Sequence, residues 1–293
     1  MRKQFVKTVE DLMEKDDKLV LLLGDMGVFG FREAFRKYPE RTYNIGICEQ
    51  AMTSVAAGLA LEGFTPVLHS IAPFAVERCL EQIKVDLCYQ NVPANIVSVG
   101  ASYDYAALGC THHCPGDVGI LKSVPDMQIV VPGTPSELDT LFRASYSNGH
   151  QTYFRLSERS NGDGRSVTFG RAEIIKMGYE GTVVAIGPTL DCVLAATEGM
   201  DVTVLYYTTL SPFDCRPLRH FSLHGKIVVV EPFYSGTMTN DIIHALHGRP
   251  VELFSIGVPR QFLYHYGKAE EHDLELGLTW PDVHNRIEEF IHA

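Results

Sequence analysis

The chain has 293 residues, of which 45% are hydrophobic, and its formal net charge is −11. This length supports a sizeable core and about two domains. The acidic balance argues against nucleic acid or an anionic membrane as a partner. No apolar run reaches the ~18 residues of a spanning helix, and the first residues do not resemble a secretion signal. An odd number of cysteines, seven, predicts reduced thiols in a cytoplasmic protein.

The first half of the chain alternates predicted helices and strands. Helical spacing covers residues 2–16, and an apolar strand follows at residues 19–25. The other predicted elements are a helix beginning at Glu49, helices at 73–89 and 135–148, and strands at 65–70, 94–100, 127–133 and 152–158. Strands that alternate with helices predict a mostly parallel sheet covered on both faces.

A polar, glycine-rich segment, SNGDGRS at residues 160–166, predicts a domain boundary. A second α/β pattern follows it. Its predicted elements are strands at 182–187, 202–207, 226–232 and 251–257, a helix at 188–199 and a terminal helix from about Trp280. We therefore predict two α/β domains, residues 1–162 and 163–293, the first with a mostly parallel sheet.

Four features are predicted to lie on one edge of the first sheet. They are Asp25, Ser70, the loop at 100–117 and residues 155–159. Each follows or ends a predicted strand, and ligands of open parallel sheets bind at the carboxyl ends of strands. This edge is therefore the predicted position of a ligand.

Glu49 is an acid at the start of an apolar helix rich in small residues, within NIGICEQAMTSVAAGLALEG at 44–63. One interpretation is an acid that interacts favourably with the helix dipole, worth roughly 0.3–1 kcal/mol. The other is a buried carboxyl whose pKa is raised by desolvation, so that it can share a proton with a ligand. The spacing alone leaves both interpretations open.

Several segments, in the same order, resemble the transketolase group of thiamine-diphosphate enzymes. GICEQAMTSVAAGLALEGFTPVLHS is similar to the signature of that group's pyrimidine-binding domain, and LLLGDM matches the strand before it. The resemblance implies a pyrimidine-binding domain at 1–162 and a transketolase C-terminal domain at 163–293. The matching segments are residues 21–26, 46–70, 111–138, 228–239 and 257–279.

The resemblance implies a role for Glu49 and a cofactor, thiamine diphosphate. In this family the acid hydrogen-bonds N1′ of the cofactor's aminopyrimidine and favours an imino tautomer, whose nitrogen removes the proton from C2 of the thiazolium. The resulting carbanion attacks a ketose carbonyl. A solvated glutamate with a pKa near ~4.3 would lose its proton, whereas burial keeps it available.

Phe74 and Arg78 lie in PFAVERCLEQ at 73–82. The family stacks an aromatic side chain from this region on the pyrimidine ring, and Phe74 is the matching position; otherwise Phe74 is a core residue. Arg78 matches an arginine that the similar deoxyxylulose-phosphate synthases use near the substrate phosphate. Its other interpretation is an ion pair on the helix surface with Glu77 or Glu81.

CTHHC at 110–114 has the composition of a metal site, but no second ligand pair accompanies it, so we predict no zinc. The resemblance instead aligns His112 with the family's active-site histidine, which contacts substrate hydroxyls or phosphate. His113 takes a position often held by glutamine, and we predict that it also contacts substrate. An imidazole can donate a hydrogen bond to developing oxygen charge.

Leu108 departs from the family pattern. Typical transketolases carry an aspartate immediately before the Gly-x-Thr-His run, where it binds a hydroxyl of the donor sugar, and here that residue is Leu108. A site without this acceptor has lost one polar discriminator. The ordinary ketose-phosphate donors, and whether the substrate is phosphorylated, are therefore open, and a modified or deoxygenated donor fits the change.

Arg159, in TYFRLSERSN at 152–161, corresponds best to the family's phosphate-binding arginine, because a guanidinium can bind phosphate bidentately. The family run is often one residue shorter, so Arg155 is the alternative; a surface arginine is the simpler interpretation of either. Asp25 matches an acid near the family's cofactor interface. It could equally cap the next helix.

The GDG at 162–164 does not match the Mg²⁺ and diphosphate motif of thiamine enzymes, since no asparagine follows at a suitable distance. We predict a turn there. The family's diphosphate-binding domain is missing from this sequence. The resemblance therefore implies a split transketolase of α2β2 type, in which a separate N-terminal-type subunit holds the diphosphate and provides most of the Mg²⁺ ligands. An apolar helical face should then remain for that subunit.

The predicted function is transfer of a two-carbon ketol unit from a ketose to an aldose, and the family resemblance favours sugar phosphates. Within thiamine chemistry, the alternatives are a deoxyxylulose-phosphate-synthase-like activity on pyruvate and a 2-oxoacid dehydrogenase β subunit. A non-catalytic interaction subunit that keeps the fold is a further alternative.

Overall fold

The computed structural model describes residues 1–222 and 224–293 as two mostly parallel β-sheets with helices packed on their faces. The strands are β1 Leu19–Leu23, β2 Thr42–Asn44, β3 Thr65–Ile71, β4 Ala94–Val99, β5 Gln128–Val130, β6 Gln151–Arg155, β7 Ala172–Lys176, β8 Gly181–Ile186, β9 Val202–Tyr207, β10 Thr209–Ser211, β11 Lys226–Tyr234 and β12 Glu252–Val258. The predicted α/β fold with parallel sheets is confirmed.

The α-helices fill the connections between strands. They are α1 Arg2–Met13, α2 Arg32–Lys37, α3 Glu49–Leu61, α4 Leu80–Gln82, α5 Asp117–Leu121, α6 Pro135–Ser145, α7 Leu190–Ala196, α8 Cys215–Phe221, α9 Thr239–Ala245, α10 Ala269–Leu276 and α11 Trp280–His292. None of the described helices is long and apolar enough to cross a membrane.

The first sheet has seven strands in the order β10-β5-β6-β4-β3-β1-β2. All neighbours are parallel except β10 and β5. Its inner strands β1, β4 and β6 are buried along their whole length, as expected for parallel strands covered on both faces. Their carboxyl ends share one edge, which carries the predicted site.

The second sheet has the order β12-β11-β8-β9-β7, with β7 antiparallel to β9 and the other pairs parallel. Its strands come from residues 172–258, and β10, which follows β9, crosses to the first sheet. The predicted boundary near residue 162 lies between the two sheets in sequence, and it stays a prediction.

The segment 73–89 differs from the single helix that its pattern predicts. It contains a π-helical turn at Pro73–Glu77, the short helix α4 and a second π-helix at Ile83–Tyr89. The wider turn is closed by the Arg78 amide, which donates to the Pro73 carbonyl at 3.0 Å. Such turns are frequent at functional sites. Here the turn brings the Arg78 guanidinium over the Phe74 ring.

Candidate active site

Glu49 is the first residue of α3 and is buried, at 1% exposed. The Ser70 hydroxyl, near the carboxyl end of β3, donates to Glu49 Oε1 at 2.8 Å, and Arg78 Nη1 donates to Oε2 at 2.6 Å. Gly24, at the end of β1, leaves room for this arrangement, since a Cβ there would lie 3.2 Å from Glu49 Cγ. Both carboxylate oxygens therefore have partners.

Arg78 and Phe74 form the next part of the site. The Arg78 guanidinium carbon lies 4.2 Å from the centre of the Phe74 ring, a distance at which a cation is attracted to an aromatic face. The predicted ion pairs of Arg78 with Glu77 or Glu81 are wrong, because the guanidinium pairs with Glu49 instead. Sequence spacing pointed to neighbours on one helix, whereas the partner comes from α3.

His112 continues the same row of side chains. Its ring centre lies 5.2 Å from that of Phe74 and 6.5 Å from that of Tyr105, both edge to face. Thr111 Oγ1 lies 2.9 Å from His112 Nδ1. Glu49, Arg78, Phe74 and His112 thus form one continuous set, half-open to solvent at its His112 end.

A buried carboxyl and an aromatic face that contact the same guanidinium would suit a flat heterocycle with a hydrogen-bonding edge in its place. The family model described as "Transketolase, pyrimidine binding domain" matches residues 1–162. The chain belongs to this family. It is similar to a split-gene transketolase structure described as an "inactive beta4 tetramer", with 25% identity and a TM-score of 0.86 over 99% of this chain and 97% of that one.

Two relatives are similar to this transketolase-family chain over most of its length. One, from Rhodococcoides fascians, is described as an "Uncharacterized 33.6 kDa protein in fasciation locus" and is 39% identical over 98% of this chain and 93% of its own length. The other, from Phocaeicola vulgatus, is described as one of the subunits of apulose-4-phosphate transketolase. It is 27% identical over 99% of this chain and 97% of its own length.

His113 does not share the position of His112 in this transketolase-family chain. It is only 8% exposed, and its ring faces His272 of α10 at 5.7 Å between centres. Burial, together with His272, lowers the pKa of His113, which favours a neutral ring. In this structure the His113 side chain packs against α10, and its predicted substrate contact stays a prediction.

Arg155 is also buried, at 1% exposed. Its Nε donates to Asp117 Oδ2 at 2.7 Å, and its Nη2 donates to Ser102 Oγ at 2.7 Å. Tyr153 donates to the same Asp117 oxygen at 2.8 Å. In this structure the Arg155 guanidinium forms a buried ion pair with Asp117, and the substrate-binding alternative for Arg155 stays a prediction.

Arg159 is half-open to solvent, but it too has a carboxylate partner. Arg159 Nη1 lies 2.9 and 2.8 Å from the two oxygens of Asp273 on α10, and Nη2 donates to the Ala269 carbonyl at 3.2 Å. Its guanidinium also lies 5.0 Å from the Tyr103 ring centre. In this state Arg159 ties the first half of the chain to the second.

Asp25 follows β1 in a left-handed conformation with φ of 60°. Its amide donates to Asn44 Oδ1 at 3.0 Å, and Asn44 Nδ2 donates to Asp25 Oδ1 at 3.1 Å. The alternative that Asp25 caps the next helix is wrong, since α2 has Phe31 at its N-cap. A left-handed aspartate is uncommon and is often found at functional positions.

Leu108 is 52% exposed, next to Gly109. The Tyr266 ring packs so closely on Gly109 that a Cβ there would lie 2.7 Å from it. The residue that the family resemblance aligns with the usual aspartate is thus an exposed leucine, and an exposed tyrosine packs on the glycine that follows it. Tyr266 comes from the loop before α10, which sequence spacing gave no reason to place here.

The segments CTHHC at 110–114 and GDG at 162–164 were considered above as metal-binding motifs, and the structure describes both. Cys110 is exposed and Cys114 is buried, and among residues 1–222 and 224–293 no three His, Cys, Asp or Glu side chains form a metal-binding group. The GDG segment is irregular, and the Gly162 amide donates to Asp191 Oδ2 at 2.6 Å.

Ser70, Tyr105 and Asp117 have contacts that the sequence analysis did not assign. Ser70 carried a usable signal, because it ends a strand on the predicted ligand edge, but its hydrogen bond to Glu49 joins residues 21 positions apart and has no local signal. Asp117 and Tyr105 carried none, since their contacts with Arg155 and His112 arise from the folding of the 100–117 loop and its neighbours.

Proposed function

We propose that this chain is the pyrimidine-binding subunit of a thiamine-diphosphate-dependent transketolase, which moves a two-carbon ketol unit from a ketose to an aldose. The observation that carries the proposal is the buried Glu49 carboxyl, held by Ser70 and next to the Phe74 face. These groups fit the aminopyrimidine half of the cofactor: one carboxyl for a ring nitrogen and one aromatic face for the ring.

When bound, thiamine diphosphate supplies a thiazolium carbon that can act as a nucleophile. Glu49 would hold and exchange a proton at the edge of the pyrimidine ring. The carboxyl is buried, so water has little access to this proton. Ser70 fixes the orientation of the carboxyl through Oε1. Phe74 would support the ring, and His112 would donate a hydrogen bond to a substrate oxygen.

Two arginines are proposed for an anionic group of the substrate, Arg78 and Arg159. Both are partly exposed, and each must exchange a carboxylate partner, Glu49 or Asp273, for the substrate. Leu108 supports a donor that lacks the hydroxyl read by the usual aspartate. Asp25, beside Asn44, is proposed to lie near the cofactor, where the two kinds of subunit meet.

We also propose a separate partner subunit that binds the diphosphate and ligates Mg²⁺, in an α2β2 assembly. Support comes from two similar proteins, one described as a transketolase subunit and the other as a split-gene transketolase. The exposed side of α3 supports it as well, because its small and apolar residues leave space for a packed chain. They are Ala51, Val55, Gly58 and Leu61.

A cytoplasmic location is proposed because all seven cysteines are free thiols.

The deciding experiment mixes this chain with its partner subunit, thiamine diphosphate and Mg²⁺, and assays ketol transfer over a panel of sugars and sugar phosphates. We expect transfer by wild type and almost none by Glu49→Gln, which keeps the volume but cannot exchange the proton. Equal activity of the two would favour a non-catalytic subunit.

Carbon dioxide release separates the remaining thiamine reactions. We expect no release from pyruvate or other 2-oxoacids by the assembled complex. Release that requires a 2-oxoacid, without ketol transfer between any pair of sugars, would replace the transketolase assignment by a synthase or dehydrogenase activity.

A further inference from the structure

Arg78 occupies the two contacts that the proposed function assigns to the pyrimidine ring. Its Nη1 hydrogen-bonds Glu49 Oε2 at 2.6 Å, and its guanidinium carbon lies 4.2 Å from the Phe74 ring centre. A guanidinium is planar and carries N–H donors along its edge. It therefore has the same two features, a flat face and a donor edge, that an aminopyrimidine presents to a carboxyl and an aromatic ring.

We propose that Arg78 is a built-in placeholder for the pyrimidine ring, which cofactor binding displaces. The inference rests on the proposed role of Glu49. Its physical basis is the cost of a buried carboxylate with an unpartnered oxygen. Ser70 satisfies Oε1, and among residues 1–222 and 224–293 only Arg78 donates to Oε2. The placeholder lets the chain fold around Glu49 before the cofactor arrives.

The side chain of Arg78 is able to leave this position. It is 34% exposed, whereas Glu49 is 1% exposed, so the guanidinium lies on the solvent side of the pair. Its backbone stays fixed by the π-helical turn through the bond to the Pro73 carbonyl. Displacement therefore needs only a change of side-chain rotamer, with no movement of the helix.

After displacement, the guanidinium remains at the edge of the same cleft. Phe74, which it leaves, is in edge-to-face contact with His112, so the arginine and the histidine proposed to bind substrate oxygens border the same aromatic ring. A site for an anionic substrate group is thereby completed only when the pyrimidine is bound.

Binding of the pyrimidine half of thiamine, 4-amino-5-(hydroxymethyl)-2-methylpyrimidine, to the full chain tests the inference by titration calorimetry. We expect Arg78→Met, which keeps a long apolar stem over Phe74, to bind this fragment about tenfold more tightly than wild type. Arg143→Met removes another partly exposed, ion-paired arginine away from the site, and it should bind as wild type does.

The outcomes separate the placeholder from the proposed function. Binding by Arg78→Met that is equal to or weaker than wild type, while Glu49→Gln abolishes it, overturns the placeholder and leaves the role of Glu49 intact. Binding that is insensitive to Glu49→Gln overturns both. Absence of binding by every variant, up to the solubility limit of the fragment, also counts against both.

A second measurement follows the Arg78 side chain in the wild-type protein, and a variant is used only to assign its signal. Nitrogen-15 spectra of arginine side chains in the wild-type chain should contain a protected Arg78 signal, assigned by its loss in Arg78→Lys. Saturation with the fragment should shift that signal to the position and exchange rate of a solvated arginine. A signal that stays protected when the fragment is bound contradicts the displacement.

Discussion

Arg159 and Asp273 join the two halves of the chain, with Arg159 Nη1 at 2.9 and 2.8 Å from the two carboxylate oxygens. Tyr103 donates to the same carboxylate at 2.6 Å. The arginine that the sequence assigns to a phosphate thus has a structural partner on α10. Its availability to a substrate depends on how strongly that partner holds it.

The Arg159–Asp273 pair should contribute little to stability. A double-mutant cycle of Arg159→Gln and Asp273→Asn should give a coupling free energy of about 1 kcal/mol or less, because water screens the partly exposed guanidinium. Urea unfolding of the single and double variants measures the coupling free energy. The same cycle with Arg36→Gln and Glu33→Gln, an exposed pair within α2, is the control. Coupling above about 2 kcal/mol would show that Arg159 is fixed in place and unsuited to a substrate.

The Arg155–Asp117 pair should behave in the opposite way. Both side chains are buried, at 1% and 0% exposed, so Asp117→Asn leaves a guanidinium without its counter-charge inside the protein. We expect a loss of about 3–5 kcal/mol in the free energy of unfolding, measured by urea denaturation.

Asp11→Asn is the control for this substitution, since its pair with Arg143 is open to solvent. It should cost about 1 kcal/mol or less. A similar small loss for Asp117→Asn would mean that Arg155 can reach solvent, and it would favour the predicted substrate-binding alternative for this residue.

His69 should make stability fall in acid. Burial lowers its pKa to about 4 from an ordinary 6.5, while its Nδ1 bonds the Val97 carbonyl at 2.9 Å. His69 is therefore protonated near pH 6.5 in the unfolded chain, but only near pH 4 in the folded chain. The stabilisation is complete above the unfolded pKa and is lost as the pH falls through this window, by up to about 3 kcal/mol.

Unfolding free energies from neutral pH down to the folded pKa of His69 measure this effect. His69→Gln should flatten the decline relative to wild type, whereas His150→Asn, which changes an exposed histidine, should leave it unchanged. Parallel curves for wild type and His69→Gln would contradict a buried, neutral His69.

The sequence was most informative where the chain is buried on both sides. Strand β1 is a continuous apolar run, and its prediction succeeded because a parallel strand covered on both faces has no polar face. Short edge strands such as β2 and β10 have no such run and were missed. The π-helical turns at 73–89 were also missed, since apolar spacing does not distinguish them from an α-helix.

The site could be predicted only in part. The spacing left the burial of Glu49 open, and the resemblance of its segment to the family signature indicated the buried carboxyl that the structure shows. The partners of the arginines are set by tertiary packing: Arg78 pairs with Glu49 across 29 positions, and Arg159 with Asp273 across 114. Spacing along one helix favours near neighbours, and so it pointed to Glu77 and Glu81.

Gly24 should be needed for the position of Glu49. A methyl group at this residue would lie 3.1 Å from Ser70 Oγ and 3.2 Å from Glu49 Cγ, so Gly24→Ala must push one of them by a few tenths of an ångström. We expect the assembled enzyme to need about three- to tenfold more thiamine diphosphate for half-saturation, because small displacements of a positioned group are costly.

The cost to stability should stay within about 1–3 kcal/mol, the usual range for overpacking. Gly119→Ala is the matched control, because a methyl group there meets only Thr237, at 3.8 and 3.9 Å. Thiamine diphosphate saturation curves of the assembled enzyme, together with urea unfolding of each variant, test this prediction. If Gly24→Ala saturates as wild type does while remaining folded, the close approach of Gly24 to Glu49 and Ser70 is not what positions the carboxyl for cofactor binding.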